Sequence, residues 1–309
     1  MINNSSDCII CKKRGSANYI KNYQKNSKTF SLYECIDCRS QFFEGEKNPG
    51  ALWYEQTSDY FIKDIVVPKI YRDSQKKFLM TNQQFPPETL VLELGCGSGE
   101  FIYQLQKRGC KVFGVDFDKK GIEIAKKYFG LKNIFAQSFE SFFEKQNLPL
   151  FDYIIFFEVI EHLENPLEFI KQVKKILKPQ GKIILSTPSR ERVLADWNNW
   201  DFPPHHLTRW NEKSLENIFR MVGIKKNQLF YLEKYKTIAG AIDGKMRSGL
   251  VNKVAKDASL GIKSIWIAKI IYLLAKTKYY VMAGIPALFI CFFSNILGYK
   301  NGIIYAEFQ

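Results

Sequence analysis

Between residues 88 and 190 the chain alternates short apolar runs with amphipathic segments. Leu90–Leu94, Lys111–Val115, Asn133–Ala136, Phe151–Phe157 and Lys182–Ser186 read as strands, because each is short and mostly apolar. Phe101–Lys107, Gly121–Tyr128 and Pro166–Leu177 carry apolar residues at helical spacing. Such alternation predicts an α/β fold, with a mainly parallel sheet covered on both faces. Ligands of these sheets collect at the carboxyl ends of the strands. Further on, Asn211–Met221 reads as an amphipathic helix and Gln228–Tyr235 as a strand, with Gly302–Phe308 a candidate strand at the end.

The first 50 residues follow a different pattern. Cys8-x-x-Cys11 is followed by Cys35-x-x-Cys38, with the strand-like Thr29–Glu34 leading into the second pair. Each pair sets two thiolates on one side of a tight loop. Two such loops face to face make the closed tetrahedral sulfur cage that zinc favours. The expectation is a small zinc-ribbon domain over 1–50, with Cys8, Cys11, Cys35 and Cys38 holding a structural zinc. The start, MINNSSDCIICKK, shows no apolar signal core and no cleavage site, so reduced thiols are expected, not a disulfide framework.

The segment richest in chemistry is Glu93-Leu94-Gly95-Cys96-Gly97-Ser98-Gly99-Glu100-Phe101. Three glycines at alternate positions follow a strand and open a helix, so the backbone can approach a ligand closely. The next strand ends in Asp116, a carboxylate able to accept hydrogen bonds from a ribose diol. The spacing Gly-x-Gly-x-Gly departs from the Gly-x-Gly-x-x-Gly of dinucleotide sites.

At these residues the chain resembles the class I S-adenosylmethionine-dependent methyltransferases. ELGCGSGEF is similar to their first motif, VFGVD to the strand carrying the ribose acid, and LKPQGKIILSTPS to the segment leading into strand five. FDYIIFFEVIEHL is similar to the fourth-strand motif in the version shared by ubiquinone-biosynthesis O-methyltransferases and many sugar methyltransferases. The resemblance covers roughly residues 85–235 and the C-terminal tail. It implies a Rossmann-like seven-stranded class I sheet and S-adenosylmethionine as cofactor. Position by position, it implies that Gly95, Gly97 and Gly99, with Glu93, Cys96 and Ser98 among them, line the methionine part. Asp116 then meets the ribose and Phe117 the adenine. Ser138 and Phe139 follow strand three, where many relatives place an Asp against the adenine amine, and Ser138 departs from that pattern. Glu158, at the end of strand four, stands where family members approach the sulfonium or the acceptor. Glu161 and His162 either join that site or cap the following structure. Base-modifying relatives carry Asn/Asp-Pro-Pro-aromatic after strand four. Phe157-Glu158-Val159-Ile160 here disfavours base N-methylation and leaves O- or C-methylation.

The acceptor side is expected beyond strand five, in Trp197–Trp210. The chain has 3 histidines: His162 after strand four, and His205 and His206 after strand five. Both places lie at the site rim, so all three can converge there. Methyl transfer to oxygen needs an aligned acceptor and a proton acceptor, and a neutral imidazole suits the second task. His205 or His206 is the candidate base, with His162 and Glu158 beside it. The PPHHLTRW string also resembles zinc-knuckle methyltransferases from surface-glycan clusters. Trp197, Trp200 and Trp210 either stack on a ring acceptor or form the core of a lid.

Lys+Arg number 45 against 31 Asp+Glu, a net charge of +14. Residues 236–309 carry 10 basic and 3 acidic groups, so half of the excess lies there. The same region is the most apolar. Residues 236–299 read as a basic, apolar helical insertion placed before the last strand, 300–309. Within it Ile262–Lys278 is apolar with lysines at 263, 269, 276 and 278, and Tyr279–Leu297 has no charged residue. A single crossing would strand the last strand on the far side of a bilayer. The expectation is an interfacial helix pair over 262–297 on the inner face of the cytoplasmic membrane, with a helical dimer interface or an acceptor lid as alternatives.

The expected organisation is thus 1–50, 51–235, 236–299 and 300–309. The expected activity is methylation of a sugar hydroxyl on a cell-surface glycan or lipid-linked saccharide. Alternatives are RNA methylation through the zinc ribbon, polyprenyl-quinone O-methylation, sugar C-methylation, or a catalytically silent membrane-bound scaffold. Nucleic acid is disfavoured as a partner because the positive charge clusters with apolar residues and not with the cysteines. An oligomer remains open.

Overall fold

A computed structural model describes residues 5–25, 27–50, 53, 72–145, 147–197, 201–232, 238–239, 242, 284–296 and 302–309. They fall into two compact units, one drawn from residues 1–188, 203–230 and 304–309, the other from 189–202 and 231–303.

The first unit contains two sheets. The N-terminal one is built from β1 (Ser5–Ser6), β2 (Ala17–Lys25), β3 (Lys28–Cys35) and β4 (Gln41–Phe43), each antiparallel to the next. Ala17, Phe30, Leu32, Phe42 and Phe43 are buried in it. The hairpin partner β2 was not expected. Most of its residues face solvent, so it shows no apolar alternation and is held by its ladder to β3.

A helix, α1 (Asp73–Thr81), precedes the second sheet. Then come β5 (Leu90–Leu94), α2 (Glu100–Gln106), β6 (Lys111–Asp116), α3 (Lys119–Phe129), β7 (Ile134–Ala136) and α4 (Phe139–Phe143). These are followed by β8 (Phe151–Phe157), a single 3₁₀ turn (Ile160–His162), α5 (Pro166–Lys175) and β9 (Leu177–Pro188). Last in the unit are β10 (Thr208–Arg209), α6 (Glu212–Met221), β11 (Lys226–Leu232) and, near the C-terminus, β12 (Ile303–Phe308).

Local chemistry explains the boundaries. Asp118 accepts from the Lys120 N–H and caps α3, which ends at Gly130 with φ +64°. Pro166 opens α5, where a missing N–H is harmless. Asn211 and Ser214 form a reciprocal capping box on α6. Helix α5 stops at Lys175, two residues earlier than its periodicity predicts, because Leu177 is recruited into the sheet opposite Phe151.

The seven strands run in the order β11-β12-β9-β8-β5-β6-β7. Strands β5 to β9 pair in parallel, so their carboxyl ends share one edge. Lys225 and Gln309 exchange both backbone hydrogen bonds, the signature of antiparallel pairing. The sheet is mixed, and the C-terminal strand is its sixth member in space from the β7 edge. The strand reversal lies between β5 and β8, which places the ligand crevice there.

β10 leaves this sheet and joins the other. Thr208 pairs with Phe42 and Arg209 with Gln41, so the N-terminal sheet has five strands in the order β1-β2-β3-β4-β10. Asn217 donates to the Asp37 and Cys38 carbonyls at 3.4 Å, and Lys12 Nζ donates to Asn165 at 2.6 Å.

The second unit holds α7 (Ile285–Ile296), which falls in the expected apolar segment. Its Ala287, Ile290 and Cys291 pack with Ile238, Ala239, Ile242, Val193 and Leu194. Ile285, Leu288, Phe289, Phe292, Phe293 and Ile296 form the opposite stripe and are 48% to 66% exposed. Arg192 and Asp201 make a buried ion pair in this unit. The expected segment 262–278 lies outside the described residues. Among the described residues no helix is long and apolar enough to cross a membrane.

Candidate active site

The turn from β5 into α2 carries the three alternate glycines. Gly95, Gly97 and Gly99 all have positive φ, at +81°, +52° and +77°. Two of them are needed for close packing as well. A Cβ on Gly95 would come within 2.7 Å of Val159, and one on Gly99 within 2.7 Å of Leu131 and 2.9 Å of Ala125. At Gly97 a Cβ would meet nothing within 4 Å. That is the open spot where a ligand can lie on bare backbone. Gly99→Ala is therefore expected to lose about 3 kcal/mol in urea unfolding, from the positive φ and the overpacking together. A loss below about 0.5 kcal/mol would contradict this account.

Asp116 locks the loop from the neighbouring strand. Its Oδ2 accepts from the Gly97 N–H at 2.7 Å and its Oδ1 from the Asp118 N–H at 2.9 Å. Burial raises the pKa of its carboxyl, against the pull of these N–H donors. Glu93 is 3% exposed, and its Oε2 has no hydrogen-bond partner among the described residues. Burial raises it well above the usual carboxylate range, and the nearby Asp116 and Glu100 charges add to this. A buried acid with an unmatched oxygen is suited to receive a cationic ligand group.

The other expected contact residues divide. Phe117 follows β6 directly and is 37% exposed. The Ser138 hydroxyl caps α4 by accepting from the Ser141 N–H. Phe139 packs on Phe169 with ring centroids 5.4 Å apart. The Cys96 thiol sits against Gly114, and Ser98 donates to Glu100. For Cys96 and Ser98 the loop offers backbone, while their side chains serve the fold.

Glu158 follows β8 with φ +56°, a left-handed conformation uncommon outside glycine that collects at functional sites. It is clamped to β9: its N–H donates to the Ser186 carbonyl at 2.9 Å, and Ser186 Oγ donates to its Oε1 at 2.8 Å. Glu161 is buried beside it. Thr187 donates to Glu161 Oε2 at 3.0 Å, while Oε1 has no hydrogen-bond partner among the described residues. Burial, followed by the Glu158 charge, raises the Glu161 carboxyl well above its usual range.

The three histidines do meet. His162 lies 4.7 Å from His205 and 4.8 Å from His206, and His205 stacks on His206 at 4.6 Å, measured between ring centroids. One ligating atom from each lies within 4.8 Å of the others. His162 Nδ1 is 2.7 Å from the His205 carbonyl oxygen, which can only accept. Burial first, then the neighbouring His206, pushes His162 down to about 3, and the same causes push His205 down to about 3. Both rings are therefore neutral at ordinary pH. Trp210, read as a stacking platform or lid core, is fully buried and donates to Thr208, so it is core. The Trp197 and Trp200 side chains lie outside the described residues.

The four cysteines also meet. The Cys8 and Cys38 sulfurs are 3.7 Å apart, as are those of Cys11 and Cys35. The Cys11 N–H donates to Cys8 Sγ and the Cys38 N–H to Cys35 Sγ. Four sulfurs within 4.8 Å of one another fit a tetrahedral metal.

A family model described as a methyltransferase domain matches residues 67–229, just over half of the chain. The chain belongs to this methyltransferase family. The methyltransferase match includes the glycine loop, Asp116, Glu158 and all three histidines. The chain is 35% identical over 104 residues to the mitochondrial ubiquinone biosynthesis O-methyltransferase of Schizosaccharomyces pombe, covering 32% of this chain and 38% of that protein. It is 31% identical over 103 residues to the ubiquinone biosynthesis O-methyltransferase of Aliivibrio fischeri, covering 32% and 44%. The chain spans less than half the length of these curated relatives. Among solved structures, an S-adenosylmethionine-dependent methyltransferase from Archaeoglobus fulgidus superposes with a TM-score of 0.49 at 16% identity, covering 76% of this chain and 91% of that one.

Proposed function

We propose that the protein transfers a methyl group from S-adenosylmethionine to a hydroxyl of a glycan or lipid-linked saccharide at the inner surface of a membrane. The observation that supports this reading is the turn after β5, where Gly97 leaves bare backbone hydrogen-bonded to the buried Asp116 and the buried Glu93 keeps an unmatched oxygen.

S-adenosylmethionine, when bound, supplies an electrophilic methyl on a sulfonium. The residues fit it. The Gly95–Gly99 backbone would border the methionine part, and Glu93 would meet its ammonium. Asp116 keeps lone pairs for a ribose diol after accepting two N–H bonds, and Phe117 flanks the adenine. Glu158, held by Ser186, orients the acceptor hydroxyl toward the methyl. The donor would supply the methyl for a new C–O bond, with the C–S electron pair staying on sulfur. The hydroxyl proton must leave. His205 is held so firmly neutral that it is a weak proton acceptor. His206, with Nε2 4.0 Å from Glu161 Oε1, is the candidate base. The four N-terminal cysteines would hold a structural zinc.

The exposed apolar stripe of α7 supports membrane apposition, since 10 basic groups accompany it in residues 236–309. The full-length protein is expected to pellet with anionic vesicles at low salt, and replacement of Leu288, Phe289, Phe292 and Phe293 by serine to release it. Undiminished pelleting of that variant would remove the anchor.

A second acceptor class, a polyprenyl-quinone hydroxyl, is favoured by the names of the curated relatives. Mass spectrometry of envelope glycans and quinones, with and without the gene, decides between them. One methyl group lost from a saccharide supports the reading. A loss confined to quinones transfers the function to the second class, and unchanged profiles in both overturn it.

A further inference from the structure

We infer that His162, His205 and His206 form a second metal site that binds a divalent transition cation, with Glu161 as the adjoining carboxylate. The placement of the rings carries the argument. His205 and His206 follow one another at the end of the turn after Pro203 and Pro204. Their rings stack with planes 19° apart, and both lie against the His162 ring.

The backbone beneath them is fixed from two sides. Leu207 donates its N–H to the Glu161 carbonyl at 2.9 Å and accepts from the Phe43 N–H at 3.0 Å. The loop carrying two of the rings is thereby tied to the turn carrying the third. Since a carbonyl only accepts, the contact between His162 Nδ1 and the His205 oxygen puts the proton on Nδ1 and the lone pair on Nε2. Metal-bound histidines commonly show this arrangement, with the second ring nitrogen donating to a carbonyl.

The carboxylate is an independent sign. Glu161 is 1% exposed. One of its oxygens is fastened by Thr187, and the other has no hydrogen-bond partner among the described residues and lies 4.0 Å from His206 Nε2. A cation between them would match that oxygen. The ligating atoms of the three histidines lie within 4.8 Å of one another. Around an ion with metal–nitrogen bonds of about 2.1 Å they would close to about 3.4 Å, a contraction that side-chain rotation supplies. A set of imidazoles and one carboxylate suits zinc, iron, cobalt or nickel better than magnesium or calcium.

The site stands without the methyl-transfer reading; its use rests on that reading. At the rim near Glu158 the cation would polarise an acceptor hydroxyl and lower its pKa, and His206 would then be a ligand and not the base.

The test is a titration of the metal-free full-length protein with Co²⁺. Cobalt on the four cysteines shows sulfur-to-metal charge-transfer absorption, and cobalt on the histidines does not. The expected result is one equivalent per chain bound without the sulfur band, in addition to the sulfur-bound one. The paired variant H162A/H206A is expected to lose that equivalent and keep the sulfur band. Only sulfur-bound cobalt in the wild type overturns the proposal, and that arm needs no variant. Two equivalents in a folded H162A/H206A protein also overturn it. Calorimetry with S-adenosylmethionine on the same samples is a separate arm. Absent donor binding in the wild type would overturn the methyl-transfer reading and leave the cobalt result to stand by itself.

Discussion

Replacing Asp116 by alanine is expected to weaken S-adenosylmethionine binding at least about 100-fold in calorimetry, with the chain still folded by circular dichroism. A carboxylate offers about four acceptor positions, of which the Gly97 and Asp118 N–H groups use two. The remaining positions can take both hydroxyls of a ribose. Hydrogen bonds to a charged group are worth about 1.5–3 kcal/mol each, so losing two removes about 3–6 kcal/mol, and each 1.4 kcal/mol is about tenfold in affinity. The substitution also frees the Gly97 N–H, so the loop loses its anchor at the same time. Asp116→Asn keeps one acceptor oxygen and should fall between alanine and wild type. Alanine affinity within about threefold of the wild type would take Asp116 out of the donor site.

Cys35→Ser is expected to abolish binding of the zinc proposed for the four cysteines and to destabilise the protein by at least about 3 kcal/mol. Cys35 ends β3, is fully buried, and receives the Cys38 N–H on its sulfur. Ser16 Oγ lies 3.3 Å from the same sulfur. A structural zinc contributes folding free energy directly, so its loss unties both loops and the end of the longest strand pair in that sheet. The effect should reach the acceptor side. Residues Gln41–Phe43 pair with β10, whose first residue lies two positions past His206. Turnover should therefore fall together with stability. Elemental analysis and urea unfolding check this, and retention of zinc with wild-type stability would defeat it.

Much of the sheet is legible in the sequence. Phe151–Phe157 is apolar almost throughout and Leu90–Leu94 nearly so, because a strand covered on both faces has no polar side to interrupt it. The cysteine pairs and the alternate glycines were legible for another reason, since their spacing states the chemistry. The meeting of the three histidines was also legible, from their place after strands four and five. What escaped was structure held by pairing and not by burial. Strand β2 is mostly exposed, and β10 is two residues long. Helix α1 buries little beyond Ser74 and Phe78, too few to give a period. The start of β9 was hidden because Leu177-Lys178-Pro179-Gln180-Gly181 reads locally as a turn, and only its neighbour Phe151 makes its first residue a strand. Within the site, the orphaned oxygens of Glu93 and Glu161 were out of reach, since a missing partner is a property of three dimensions.

The pairing of Phe42 with Thr208 also sets an order in time. During synthesis the outer edge of β4 is made about 166 residues before its partner. At about 5–20 residues per second the interval is roughly ten to thirty seconds. Throughout it the nascent chain presents an open row of N–H and C=O groups that any passing strand can copy. The amino-terminal sheet therefore emerges from the ribosome with one edge unpaired, and the arrival of β10 closes the seam.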